Sequence, residues 1–131
     1  MKLNSFQQKL NKENPYDFSN LKAVFLNCTL KKSPDVSNTE GLMKMSETIM
    51  KENGVQTEMI RAVDHKIAFG VYPDMRDKGW PDDEWPDIQK KILDADILVI
   101  GSPIWLGEKS AVASMVIERL YGSSGQTNEK G

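Results

Sequence analysis

Apolar residues occur along the chain in short runs that alternate with amphipathic stretches. The runs at residues 23–26 and 97–100 are typical of strands buried on both faces of a parallel sheet. Residues 55–60, which at first alternate apolar and polar, predict another strand between them. A helix is predicted after each strand. This alternation indicates parallel strands joined by right-handed crossovers, and therefore an α/β fold.

The helix after the first strand has the clearest boundaries. It is predicted to begin near Ser37 or Asn38, since either side chain can cap free N–H groups, and to end at Asn53-Gly54. Its predicted core stripe consists of Leu42, Met45 and Ile49, with Met43 and Met50 beside it.

The second half of the chain predicts a long loop and two further helices. Residues 61–85 contain several glycines and prolines, and loops of this length are usually functional or mobile. Trp80 and Trp85 are expected to anchor this loop to the core; the alternative is that they cover a ligand or form a partner interface. Pro86 suits the first turn of the next helix, and the last helix is predicted at about 110–121.

Composition narrows the possible functions. The 131 residues fit one small domain, with residues 1–20 as an N-terminal extension that carries a short helix near residues 6–10. A net charge of −2 argues against nucleic acid and anionic membrane surfaces as partners. No apolar run approaches the length of a membrane span, and no signal peptide is evident. The single cysteine, Cys28, excludes an internal disulfide and a cysteine-based metal cage, so we expect a cytoplasmic protein with no metal site.

The loop after the first strand is a candidate phosphate site. A phosphate needs several donors that converge at a helix N-terminus, where free N–H groups and the helix dipole favour an anion. The polar and positively charged side chains available here are Thr29, Lys31, Lys32, Ser37, Asn38 and Thr39. The alternative is an ordinary polar loop that ends in a helix cap. The glycine patterns of Walker loops and of dinucleotide-binding folds are absent.

The segment after the third strand offers an aromatic ring. The strand stops at Gly101-Ser102-Pro103, and Trp105 follows on a loop at the carboxyl end of the sheet, where open α/β sheets bind ligands. In a sheet of order 2-1-3 this loop and the phosphate loop flank one crevice. A ligand with a phosphate and a flat ring system, such as flavin mononucleotide (FMN), would fit both. The alternative is that the Trp105 ring packs under its own loop.

These two segments resemble the flavodoxin-like NAD(P)H-dependent FMN reductases. The resemblance covers about residues 21–121, and its most specific parts are Ser37-Asn38-Thr39 and a Pro-x-Trp-x-Gly pattern after the third strand. It implies a doubly wound parallel sheet in a three-layer α/β/α arrangement over residues 21–131. Its implied FMN-phosphate ligands are Thr29, Ser37, Asn38 and Thr39, with Lys31 in place of a usual arginine. Its implied contacts to the ribityl chain and ring are Pro103, Ile104, Trp105, Leu106 and Gly107.

The resemblance also implies an activity. An FMN-dependent oxidoreductase would accept a hydride from NADPH or NADH and pass the electrons to a small acceptor, such as a quinone, a nitro or azo compound, or free flavin. No side chain need act as an acid or base, so no catalytic residue is assigned, and a homodimer is expected. The alternatives are a flavodoxin-type electron carrier and a non-enzymatic interaction domain.

The number of strands departs from the family pattern. The family has five parallel strands, whereas the sequence predicts the first three, so we expect a C-terminally truncated chain that is part of a longer flavoprotein. The alternative is that two chains cover the open edge mutually. Of the remaining residues, His65 is interpreted as a structural turn residue rather than a proton donor, and Cys28 as a buried thiol rather than a redox group.

Overall fold

Three parallel strands organise the chain: β1 (Lys22–Asn27), β2 (Gln56–Arg61) and β3 (Ile97–Gly101). The structure is a computed structural model that describes residues 1–125, so the polar residues 126–131 lie outside the described residues. The strand order β2-β1-β3 confirms the prediction. Asn27 pairs with Arg61 on one side and with Gly101 on the other, which aligns the carboxyl ends of the strands along one edge.

The helices occupy the predicted positions and flank the sheet. They are α1 (Ser5–Glu13), α2 (Asn38–Glu52), α3 (Trp85–Leu93) and α4 (Ala111–Tyr121), with short 3₁₀ helices at Ala62–Asp64 and Met75–Lys78. The first of them, in the N-terminal extension, is longer than expected because a reciprocal capping box of Asn4 and Gln7 begins it. Within residues 1–125 no helix has the length and hydropathy that a membrane crossing requires.

Each face of the sheet has its own hydrophobic core. On one face α3 and α4 pack over β1 and β2, and the members of that core include Val24, Leu26, Ile60, Trp85, Ile88 and Val116. On the other face α2 packs over Ala23 and Phe25, with Ile97 and Val99 partly buried beside them. The chain therefore has the α/β architecture that the alternation of elements predicted, with the flavodoxin-like strand arrangement that the resemblance implied.

The predicted core stripe of α2 is wrong by one position. Met43 is 5% exposed and packs on Phe25, whereas Leu42 is 77% exposed. The other buried residue of α2 is Glu47, whose carboxylate accepts a hydrogen bond from Thr57 Oγ1 at 2.9 Å. Because a charged residue occupies this core-facing position, the spacing of apolar residues along the helix predicted the neighbouring face instead.

β3 is only half buried, contrary to the prediction for its apolar run. Leu98 and Ile100 are 37% and 38% exposed. Within the described residues β3 pairs with β1 alone, and the buried residues beneath α3 and α4 come from β1 and β2. The expected exposed apolar edge is therefore present in residues 1–125.

A buried ion pair holds the long loop between β2 and α3. The side chains of Arg119 on α4 and Asp83 are fully buried, with Nη2 of Arg119 2.7 Å from a carboxylate oxygen of Asp83. The same guanidinium donates to the carbonyls of Ala68 and Pro73. Trp85 is fully buried and anchors the loop as predicted.

The same prediction is wrong for Trp80. Its side chain is 40% exposed and contacts Phe69 edge-on, with the ring centroids 6.2 Å apart. The loop is thus held by the buried charge pair and by Trp85, while Trp80 lies at its surface.

Candidate functional site

The two predicted ligand loops meet at the carboxyl edge of the sheet. The N–H of Cys28 donates to the carbonyl of Gly101 at 2.8 Å, and Oγ of Ser110 donates to the carbonyl of Cys28 at 2.7 Å. Ser102 Oγ in turn accepts the N–H of Ser110 at 2.9 Å. Ser110 is also the N-cap of α4, so one buried serine joins both loops and starts a helix.

The first loop ends at the N-terminus of α2. Ser37 is the N-cap, and its hydroxyl accepts the N–H of Glu40 at 3.1 Å. Asn38 and Thr39 are the first two residues of the helix, where backbone N–H groups lack partners within the helix and the dipole is positive. These three predicted site residues therefore lie where an anion is favoured.

Thr29 and Lys31 shape the beginning of the same loop. Thr29 is 5% exposed, its N–H donates to Oδ1 of Asn27 at 3.1 Å, and its hydroxyl accepts the N–H of Lys31 at 3.3 Å. The ammonium of Lys31 donates to the carbonyl of Val36 at 3.2 Å and so spans the loop. Lys31 thus has a structural contact in addition to the charge that it brings to the loop.

The second loop folds into a hairpin that the sequence did not predict. Two short antiparallel strands, β4 (Ile104–Trp105) and β5 (Glu108–Lys109), are joined by Leu106 and Gly107. Both turn residues have positive φ, 50° and 82°, as in the type I′ turns that match the twist of two paired strands.

The hairpin presents its apolar side chains to solvent. Trp105 is 52% exposed, Ile104 is 70% exposed, and Leu106 is fully exposed. The Trp105 ring is therefore not packed under its own loop. An exposed aromatic ring at the same sheet edge as the loop that leads into α2 suits a ligand that combines a planar ring with an anionic group.

Two charged residues of this edge were missed by sequence reasoning. Arg61, the last residue of β2, forms an ion pair with Glu40 in the first turn of α2, and the two side chains are only 10% and 19% exposed. Lys44 Nζ lies 2.5 Å from the other carboxylate oxygen of Glu40. Hydrogen bonds from Lys44 and then Arg61 hold the pKa of Glu40 below its usual range. An arginine at the carboxyl end of a predicted strand was the available signal.

The environment of Cys28 favours the neutral thiol over the reactive thiolate at neutral pH. Cys28 is fully buried, and burial raises the pKa of its thiol to about 11. In residues 1–125 no cluster of three or more histidine, cysteine or carboxylate side chains could hold a metal ion. His65 lies on a turn with Nδ1 3.4 Å from a carboxylate oxygen of Glu84.

Comparisons with known proteins identify a family and several relatives of this chain. The sequence model of the NADPH-dependent FMN reductase family matches residues 21–130. The chain is 39% identical over 105 residues to 8-demethyl-8-aminoriboflavin-5′-phosphate synthase of Streptomyces davaonensis, a match that covers 76% of this chain and 41% of that protein. It is 54% identical over 117 residues to the divalent metal cation transporter MntH of Mycobacterium bovis, covering 89% of this chain and 17% of that protein.

A solved structure is similar in fold as well. RosB with its bound intermediate 8-demethyl-8-formylriboflavin-5′-phosphate superposes with a TM-score of 0.68 at 38% identity, covering 76% of this chain and 42% of that one. The chain thus spans less than half the length of each of these relatives. The family match extends over the whole sheet and both ligand loops, and the chain belongs to the NADPH-dependent FMN reductase family.

Proposed function

We propose that this chain is the FMN-binding part of an NAD(P)H-dependent oxidoreductase. The observation that carries the proposal is the junction of two loops at one sheet edge, in a member of this family. One loop ends at a capped helix N-terminus, and the other exposes the Trp105 ring. Because a flavin phosphate and a flavin ring need these two environments within one molecule's length, the pair of loops favours FMN.

The residues present fit a flavin phosphate. The hydroxyls of Thr29, Ser37 and Thr39, the amide of Asn38 and the first-turn N–H groups of α2 are the donors that would hold the phosphate. Lys31 would add positive charge to the loop. Residues 103–107 would lie along the ribityl chain and the ring, which are the less polar parts of the cofactor.

The bound flavin would supply the redox chemistry, taking a hydride from NADPH or NADH and passing electrons to a small acceptor. The protein's part would be to bind, orient and partly desolvate the cofactor. The chain need not supply an acid or base for that reaction. This division of labour is consistent with the buried, protonated thiol of Cys28.

A second candidate is an enzyme that modifies a flavin phosphate as its substrate. One relative is named as the synthase of an aminoriboflavin 5′-phosphate, and RosB holds a formylriboflavin 5′-phosphate. Both candidates require the same phosphate loop and ring surface. They differ in whether the flavin leaves the protein chemically unchanged.

An absorbance spectrum after FMN addition and desalting tests the shared step. Retained flavin bands are expected from the wild-type chain, and loss of those bands on NADPH addition without air would support the oxidoreductase. A folded chain that retains no flavin would contradict both candidates. A flavin that is retained, stays oxidised with NADPH and NADH, and is released as a new compound after incubation with an amino donor and molecular oxygen, which would serve as the oxidant of the methyl group that is replaced, would favour the second.

We also propose that the chain acts as a homodimer, as its family resemblance implies. The outer edge of β3 and the β4–β5 hairpin expose apolar side chains at the surface of the described residues, which is consistent with pairing through this side of the molecule.

A further inference from the structure

Arg61 donates hydrogen bonds to two backbone carbonyls of the first loop. Its Nη1 donates to the carbonyl of Asp35 at 2.9 Å and to the carbonyl of Lys31 at 3.2 Å. Asp64, three residues later, accepts the N–H and the hydroxyl of Ser33 at 2.9 and 2.6 Å. The end of β2 and the turn after it therefore hold the middle of the loop from one side.

These contacts set the direction of two peptide groups. In a trans peptide the carbonyl and the N–H point in opposite directions. Since the carbonyls of Lys31 and Asp35 point to Arg61, the N–H groups of Lys32 and Val36 point away from it. Among the hydrogen bonds of residues 1–125, neither of these N–H groups donates to a protein acceptor. Both are therefore available to a ligand.

The positive charge of Arg61 is paired within the protein. Its other terminal nitrogen pairs with Glu40, whose carboxylate would otherwise repel an anion at the first turn of α2. Lys44 contacts the same carboxylate, so the three side chains together carry one net positive charge. Arg61 thus neutralises a neighbour and orients the loop, rather than presenting its guanidinium to the ligand.

We propose that Arg61 is the positioning residue that gives this chain its preference for a phosphorylated flavin over riboflavin. The inference rests on the proposed function. Arg61 holds the carbonyls of Lys31 and Asp35 and thereby fixes the direction of the N–H groups of Lys32 and Val36. In this proposal these two N–H groups and the donors at the start of α2 act on the same phosphate. Riboflavin has no phosphate and gains nothing from this arrangement.

The test compares dissociation constants for FMN and for riboflavin, measured by quenching of flavin fluorescence. In Arg61→Met, FMN affinity is expected to fall about tenfold or more, because two hydrogen bonds from a charged group are lost. Riboflavin affinity should change much less. Arg61→Lys keeps the charge but cannot span two carbonyls and a carboxylate, so it too should lose FMN selectivity, and the loss should persist at high salt.

Lys91→Met is the matched control. It removes a positive charge that pairs with Glu58 at 2.5 Å on the surface, and it should leave the FMN-to-riboflavin ratio unchanged. Circular dichroism and a melting curve establish that each variant is folded.

Three outcomes would count against the proposal. Two of them contradict the role of Arg61, and the third contradicts flavin binding itself. Equal losses for FMN and riboflavin in both Arg61 variants would reduce Arg61 to a structural role and overturn the inference. Wild-type behaviour of Arg61→Lys would show that charge alone matters and would also overturn it. A folded wild-type chain that binds neither flavin would instead contradict the proposed function itself, and the inference with it.

Discussion

Cys28 shows how strongly one residue's environment can set its chemistry. The thiol lies at the end of β1 in the core beneath α3 and α4, and burial raises its pKa to about 11. We expect it to react very slowly with a thiol reagent at pH 8 in the native chain and quickly in denaturant. Rapid native labelling would contradict the burial.

The sign of the pH effect on stability follows from the same shift. Because the folded pKa of Cys28 lies above the unfolded value, its neutral form is favoured in the native state. Its contribution to the free energy of unfolding is fully present below about pH 8.5 and is lost as pH rises toward about 11. Cys28→Ser should remove this part of the alkaline dependence, which denaturant titrations across that range would measure.

The buried pair of Asp83 and Arg119 should be the most costly polar contact to break. Burial alone would raise the pKa of Asp83, but hydrogen bonds from the N–H of Met75 and from Arg119 outweigh it and hold that pKa below its usual range. Arg119→Met leaves the carboxylate buried without its partner, so the free energy of unfolding should fall by about 3 kcal/mol or more. Urea titration measures this.

Acid dependence distinguishes the charge pair from simple packing. A lowered pKa in the folded state contributes stability above the unfolded pKa and loses it as pH falls through the folded value. In Arg119→Met the pKa of Asp83 should rise, so the acid-induced loss of stability should begin at a higher pH than in the wild type. Lys91→Met, which breaks a surface pair, should cost about 1 kcal/mol or less. An equal cost for both variants would contradict the assigned burial.

At the scale of the element, the start of α2 has two separable tasks. Ser37 caps the helix, and it also lies among the proposed phosphate donors. Ser37→Ala should lower the free energy of unfolding by about 1 kcal/mol. Ser37→Asp should keep the cap and the stability but place a negative charge beside the phosphate.

Flavin titrations separate the two tasks. Ser37→Asp should bind FMN more weakly than the wild type does, with little change for riboflavin. If Ser37→Asp is as stable as the wild type and binds FMN equally well, the phosphate does not lie at this helix end.

The turn of the β4–β5 hairpin contains a residue in an unfavourable conformation. Leu106 has φ of 50° and a fully exposed side chain, whereas asparagine followed by glycine is the preferred pair for such a turn. Leu106→Asn should therefore raise the free energy of unfolding by about 0.5 to 1 kcal/mol. It should also weaken flavin retention, if the hairpin contacts the cofactor as proposed.

Gly107→Ala is the control substitution in the same turn that should lower stability. Its φ of 82° has open space around a Cβ, so only backbone strain opposes the substitution, and stability should fall by about 1 kcal/mol. Chemical denaturation should show a higher free energy of unfolding for Leu106→Asn and a lower one for Gly107→Ala. A destabilised Leu106→Asn would contradict the type I′ turn.

At the scale of the whole molecule, the open side of β3 is the feature to explain. Leu98 and Ile100 are partly exposed there, and we expect light scattering to give about twice the 14.8 kDa chain mass if two copies pair. Leu98→Lys should shift the chain toward the monomer.

Leu42→Lys is the control for that measurement. Leu42 is 77% exposed on the outer face of α2, so this substitution should leave the measured mass unchanged. A monomeric wild-type chain would contradict the homodimer.

Local patterns in the sequence determined the three parallel strands, the four α-helices and their order. The apolar runs, the cap at Ser37 and the stop at Asn53-Gly54 depend on residues within a few positions of one another, and the structure confirms them. The strand order 2-1-3 is that of the doubly wound sheet that was expected, and the structure confirms it. The meeting of the two ligand loops was therefore accessible to sequence reasoning.

The tertiary structure alone decided which charged groups pair and which faces are covered. Arg61 and Glu40 are 21 residues apart and Asp83 and Arg119 are 36 apart, so no local spacing signals either contact. The buried face of α2 includes Glu47 because Thr57 and Lys51 satisfy its carboxylate, which hydropathy cannot anticipate. Periodicity identifies elements because it is local, whereas the burial of a charge depends on partners that only the folded chain brings together.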